Sequence, residues 1–322
     1  MSQSAKDEKT FRSYSTQDAT QYAQFRQRYS EALYQSILAY HCSPAAPDTK
    51  LDTVVDIGCG PGIATFKLAE YFNSVLGLDP SEAMIDAART QLAEKNSKKA
   101  SIRFEVSTAE DIDATLVPDG SVDVITAATC AHWFDMTRFW PTAARILKPG
   151  GTVALWCSKS SKAHHSVPNA AKINAALEDL ENKELRPFFE PGNLLSRDLY
   201  ASIGLPWTIS PPETAFEQTT FVRKLFGRDD NDDPFFDGSG SGAAAAGRKF
   251  DLDTMERMVA TVSPVTRWRE AHPKVKPGSE DDIVRRMRRI IEANLQEMGV
   301  DVANARVQDG TLGVMLLVRK KA

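Results

Sequence analysis

Short apolar runs recur through the first half of the chain, each closed by an acidic residue, a glycine or a turn. Val54-Val55-Asp56-Ile57 leads into Gly58-Cys59-Gly60-Pro61-Gly62, and Val75-Leu76-Gly77-Leu78 ends in Asp79. Ile102 to Val106 alternates apolar and polar positions, Val122 to Ala128 is nearly all apolar, and Leu147-Lys148-Pro149-Gly150-Gly151 makes a turn before Thr152 to Trp156. Such runs, bounded by turn signals, predict buried parallel strands alternating with helices. Ahead of them, Phe11 to His41 spaces Tyr14, Tyr22, Phe25, Tyr29, Leu33, Tyr34 and Ile37 as one or two amphipathic helices would. After Trp156 the alternation stops. Ser158 to Arg306 reads as mixed helices and irregular stretches, until Thr311 to Val318 supplies a late strand that completes the sheet as an antiparallel edge.

Candidate chemistry gathers at the first two strand ends. Glycines at alternate positions let a backbone turn tightly and approach a ligand, and the helix behind them starts with unpaired N–H groups. Counted from Gly58, the dinucleotide pattern G-x-G-x-x-G needs a glycine where the chain has Ile63, which weakens a nicotinamide or flavin reading. Asp79 lies roughly 20 residues beyond the loop, where a nucleoside-binding βαβ unit places the carboxylate that accepts from ribose hydroxyls. Asp79-Pro80-Ser81 equally reads as a helix start capped by Ser81.

The D-x-G-x-G-x-G form from Asp56 to Gly62 resembles motif I of the class I S-adenosylmethionine-dependent methyltransferases, and the later segments follow in that family's order. The resemblance implies an α/β fold, a doubly wound, mostly parallel, Rossmann-like seven-stranded sheet with an N-terminal helical lid and a large substrate-covering insertion. It implies S-adenosylmethionine as cofactor, with Asp56, Gly58, Gly60, Gly62 and Asp79 around it, Ala109 and Glu110 at the adenine, and Thr129 at the end of the fourth strand. Glu110 and Asp111 equally suit a solvated helix start. Tyr22 to Tyr29 resembles the lid of the small-molecule enzymes, which puts Tyr22 and Arg26 near the methionine end of the cofactor, while Phe25 and Leu33 suit an aromatic and aliphatic core stripe.

Ala127 to Asp135, with Phe139 and Trp140, is similar to the fungal trans-aconitate methyltransferase group, and Thr261 to Trp268 matches more loosely. This resemblance implies methyl transfer to a carboxylate oxygen of a small di- or tricarboxylic acid, giving a methyl ester. His132 and Trp133 then stand at the reacting end, and Arg267 with Trp268 supplies donors to the acid. His132 reads either as a general base or as a donor to an anion, and Trp133 as cavity wall or core. Arg223 and Arg186 are further candidates for the anion.

The resemblance implies a small-molecule carboxylic acid as partner, and composition argues against other classes. With 39 basic against 43 acidic residues there is no electrostatic case for nucleic acid or an anionic membrane. No Asn/Asp-Pro-Pro-Tyr/Phe segment follows the fourth strand, which also argues against nucleic-acid methylation. Met1 to Lys9 lacks the apolar core of a signal peptide, no run approaches the roughly 18 apolar residues of a membrane helix, and the chain is expected in the cytosol. Cys42, Cys59, Cys130 and Cys157 form no C-x-x-C pair, and His164-His165 has no companion at metal-ligand spacing, so no metal is expected. The expected organisation is a lid over 1–50, a cofactor-binding core over 51–157, an insertion over 158–310 with a mobile charged and Gly/Ser/Ala-rich loop at 227–247, and a final strand and tail over 311–322. Competing readings are O- or N-methylation of a secondary metabolite and a non-catalytic cofactor-binding regulator. The oligomeric state is left open.

Overall fold

The computed structural model describes residues 15–42, 51–95, 100–160, 162–228, 233–237 and 249–322. Positions 1–14 and 43–50 of the expected lid lie outside them, as does the expected loop at 227–247 apart from 227–228 and 233–237. Two helices come first, α1 (Thr16–Phe25) and α2 (Glu31–His41). The alternating half then runs β1 (Thr53–Ile57), α3 (Ile63–Leu68), β2 (Ser74–Asp79), α4 (Glu82–Lys95), β3 (Ser101–Val106), β4 (Val122–Ala128), α5 (Met136–Ile146) and β5 (Leu147–Ser158). Helices α6 (Ala170–Leu180) and α7 (Pro191–Arg197) follow, then β6 (Phe216–Phe226), β7 (Lys249–Asp251), α8 (Leu252–Val259), α9 (Ser263–Ala271), α10 (Ile283–Glu297), β8 (Arg306–Gln308) and β9 (Gly313–Lys320).

Seven strands form one sheet in the order β3-β2-β1-β4-β5-β9-β6. The first five are parallel and β9 is antiparallel to both of its neighbours, so the fold is the doubly wound α/β arrangement expected. The late strand is not the edge, however. It lies between β5 and β6, and the edge strand β6 comes from the stretch read as insertion. The reason is exposure. Inner strands are covered on both faces and read as unbroken apolar runs, whereas edge strands β3 and β6 keep polar residues such as Glu217, Gln218 and Arg223.

Successive strand residues face opposite sides. Val55, Ile57, Ile125 and Leu155 pack with Phe139, Trp140 and Ile146 of α5, while Val54, Val124 and Trp156 pack with Leu33, Tyr34 and Ile37 of α2 and Leu68 of α3. Each fully buried side chain of this size contributes about 1.5–3 kcal/mol over exposure. The expected turn before the fifth strand is the start of β5 itself, where the pairing register with β4 slips between Val122 and Val124 and Gly150 takes φ +76°.

The covering elements bury their own apolar side chains. Ile173, Leu252, Ile291 and Val307 form one group, and Leu180, Leu185, Val265, Trp268 and Ile283 another. Asp282 caps α10, accepting from Val284 N, and accepts as well from Gly278 N at 2.6 Å and Arg269 Nη2 at 2.7 Å. Among the described residues no helix is long and apolar enough to cross a membrane.

Candidate functional site

A continuous cavity of about 730 Å³ opens over the carboxyl ends of β1 and β4, where the strand order reverses, and runs beneath the covering helices. Its floor is the loop after β1. Gly58 and Gly60 hold left-handed backbone at φ +65° and +54°. A Cβ on Gly58 would lie 2.6 Å from Cys130 Sγ, whereas one on Gly60 would meet nothing within 4 Å. Gly62 precedes α3, is packed against Phe66 and Phe104, and is not among the lining residues. Asp79, at the end of β2, accepts from Gly60 N and Ser81 N, each at 2.9 Å. Ser81 Oγ accepts from Met84 N at 3.4 Å, so one turn starts α4 and turns Asp79 to the cavity.

Asp56, expected beside the cofactor, does not line the cavity. It is buried beneath the loop, accepting from Thr65 Oγ1 at 2.6 Å and Thr126 Oγ1 at 2.7 Å, and it braces β1 to α3 and β4. Burial pushes its pKa up to about 6 against those two donors. Ala109 and Glu110 do line the wall. Glu110 Oε1 accepts from Asp135 N at 2.8 Å and ties the wall to the start of α5. Neither Glu110 nor Asp111 begins a helix, and Asp111 pairs with Arg138.

Three residues in left-handed backbone shape the other side. Thr129 takes φ +57°, a conformation costing about 1–3 kcal/mol for a non-glycine residue. Its N–H donates to Trp156 O at 2.8 Å, and its Oγ1 shares a 2.9 Å hydrogen bond with Tyr29 Oη. Tyr200 takes φ +59° next to Leu199 at +50°, a turn held by Arg223 Nη2 donating to Leu199 O at 2.7 Å. This turn brings Tyr200 Oη to 2.9 Å from His132 Nδ1, a contact 68 residues apart in sequence and invisible to motif reading. His132 lies in a 3-10 turn after β4, in the cavity wall, where burial pushes its pKa down to about 3. Trp133 lines the same wall with its ring centroid 4.9 Å from that of His132.

From the lid, Tyr22 and Arg26 both reach the cavity. The guanidinium of Arg26 lies 4.5 Å from the Tyr22 ring centroid and donates through Nη2 to Thr261 O at 3.3 Å, while its buried Nε has no partner among the described residues. Phe25, assigned to the core stripe, also lines the cavity.

Arg267 and Trp268 do not line it. Arg267 donates to Phe188 O at 2.8 Å and Asn193 Oδ1 at 2.6 Å and pairs with Glu190 at 3.2 Å, so its charge is used to anchor the start of α7. Trp268 is core, stacked on His272 with centroids 4.2 Å apart. Arg223 is the brace described above and is absent from the wall. Of the expected arginines, Arg186 does line the cavity, with Arg197 and Lys159, which sequence reasoning missed. Arg197 pairs with Glu181 and lies 4.5 Å from the Phe189 ring centroid. Among the described residues no ion pair engages Lys159 or Arg186.

The model of the family described as "Methyltransferase domain" matches residues 55–155. A Dictyostelium discoideum protein named as a methyltransferase is 39% identical over 135 residues, 42% of this chain and 45% of that protein. CRG1 of Saccharomyces cerevisiae, named as an S-adenosylmethionine-dependent methyltransferase, is 34% identical over 139 residues, 43% of this chain and 45% of that protein. The match thus spans less than half of the length of these relatives. A solved structure described as a type II methyltransferase from Anaeromyxobacter dehalogenans covers 92% of this chain and 97% of its own, with a TM-score of 0.58 at 21% identity, a likeness of fold.

Proposed function

We propose that this chain, built around a class I S-adenosylmethionine-dependent methyltransferase domain, transfers the cofactor's methyl group to a carboxylate oxygen of an organic acid, giving a methyl ester. The cavity's first half fits the cofactor. Gly60 leaves open the space a Cβ would fill, Asp79 brings to the cavity a carboxylate of the kind that accepts from ribose hydroxyls, and Arg26 has a spare buried donor for a carboxylate. Pro80, Met84 and Phe134 give apolar surface for a nucleobase. When bound, the sulfonium supplies a methyl group open to in-line attack, so the protein's share is alignment and exclusion of water.

His132 carries the carboxylate reading. With its pKa near 3, the imidazole is neutral at pH 7 and binds protons too weakly to deprotonate a hydroxyl or an ammonium group. A carboxylate arrives ionised and needs no base. Neutral His132, fixed by Tyr200, then positions an oxygen through a hydrogen bond, and Lys159 and Arg186 attract the anion. Asp309 favours a second reading. This lining carboxylate has its pKa raised by burial and could take a proton from a hydroxyl or amine acceptor.

Mass spectrometry of the protein incubated with S-adenosylmethionine and panels of acids, alcohols and amines tests both. The expected product is a base-labile methyl ester, with kcat/KM flat from pH 5 to 8 and KM for the acid raised about 10- to 100-fold in His132→Ala at every pH. Methyl ethers or methylamines formed with a basic limb lost in Asp309→Asn would establish the second reading instead.

A further inference from the structure

Beyond the cofactor loops the cavity is lined by two unlike groups of side chains. One is apolar, made by Met255, Met258 and Val259 of α8, Met287 of α10 and Phe250 of β7. The three methionines and Val259 remain half-buried, although neighbouring apolar groups of α8 and α10 close over Leu252 and Ile291. Apolar side chains left open to a hollow inside a covering layer give up burial that a core would have used. Methionine's unbranched, polarisable side chain also adapts to an irregular apolar guest. The other holds Lys159, Arg186 and the Arg197–Glu181 pair, with Phe189 as a ring contact of both arginines.

We infer that the acceptor is a monocarboxylic acid with an extended apolar body, its carboxylate toward Lys159 and Arg186 and its body along the methionine side chains. The inference rests on the carboxylate reading and narrows it. A di- or tricarboxylic acid would set further charges against the apolar side chains of Met255, Met258 and Met287. A short acid would leave these side chains wet.

The test uses the full chain with S-adenosylmethionine and three probe series: straight-chain acids from acetic to dodecanoic, the alcohols and amines of the same lengths, and succinic and citric acids. KM for the acids should fall about fourfold per methylene until the cavity is filled, the fold-change equivalent to ~0.8 kcal/mol per buried CH₂. Met258→Gln should raise KM for dodecanoic acid about tenfold with S-adenosylhomocysteine affinity unchanged, that affinity reporting an intact fold. Succinic or citric acid turned over better than the long acids, or a KM indifferent to chain length, would overturn the inference. Methylation of long alcohols or amines, with the same length dependence and no ester, would keep the apolar body and overturn only the carboxylate reading.

Discussion

At the scale of single residues, the glycine loop separates two jobs that one motif hides. Gly58 is needed because side-chain atoms of Cys130 occupy the space beside it, so substituting it disturbs the fold as well as the site. Gly60 is needed for its left-handed backbone and for the emptiness in front of it. Gly60→Ala should cost only about 1–2 kcal/mol of stability, the penalty of an L-residue in that conformation, while weakening S-adenosylhomocysteine at least tenfold by calorimetry. Undiminished affinity would mean that the cofactor does not approach the loop there. Arg267 and Arg223 carry a related lesson. Each has the chemistry of an anion donor, but neither lines the cavity: Arg267 is held by Phe188 O, Asn193 and Glu190, and Arg223 donates to Leu199 O.

At the scale of elements, the cavity wall at His132 and Trp133 depends on how α7 is docked. Arg267 holds its first turn through Glu190, Asn193 and Phe188 O, and Gly192 lets that turn lie directly on the segment after β4. A Cβ on Gly192 would come within 2.5 Å of the Trp133 ring and 2.8 Å of His132 O. Neither neighbour can yield without moving the cavity wall. Gly192→Ala should therefore lose about 1–3 kcal/mol in urea unfolding, as overpacked cores do, and lower kcat/KM along with it. A variant as stable as the parent would show that α7 is not seated this way. The π-helical turn Glu181–Leu185 after α6 belongs to the same assembly, since Glu181 and Leu185 both face the cavity and Glu181 holds Arg197 of α7.

At the scale of the whole molecule, two buried groups at the sheet's carboxyl end oppose each other as pH changes. The folded state raises the pKa of Asp56 to about 6, so it binds a proton that the unfolded chain does not, and stability from this group grows as pH falls from about 6 to about 4. The folded state depresses His132 to about 3, so the unfolded chain takes the proton first, and stability is lost as pH falls below about 6.5. Each contributes about 1.4 kcal/mol per pH unit within its window, and between pH 6 and 4 they nearly cancel. Urea unfolding from pH 4 to 7 should therefore show Asp56→Asn losing stability on acidification more steeply than the parent, and His132→Gln losing it less. Parallel curves for parent and Asp56→Asn would refute the buried titration.

The strands β1, β2, β4 and β5, the glycine loop and Asp79 were legible in the linear sequence because local pattern fixes them: inner strands must be apolar on both faces, and a tight loop must place glycine where backbone turns left-handed. The edge strand β6 was not, because an exposed edge keeps polar residues and its pairing with β9 is settled by partners about a hundred residues away. Residue type also ranked Asp56 and Arg267 as site residues, and only packing showed their polar atoms turned to Thr65, Thr126, Asn193 and Phe188 O. Conversely Tyr200, Arg197 and the methionine side chains carry no motif. The sequence by itself determined the parallel strands of the sheet and the glycine loop at their carboxyl end. Only the tertiary structure decided which side chains complete the cavity, because a hydrogen-bonding group has several possible partners and burial decides among them.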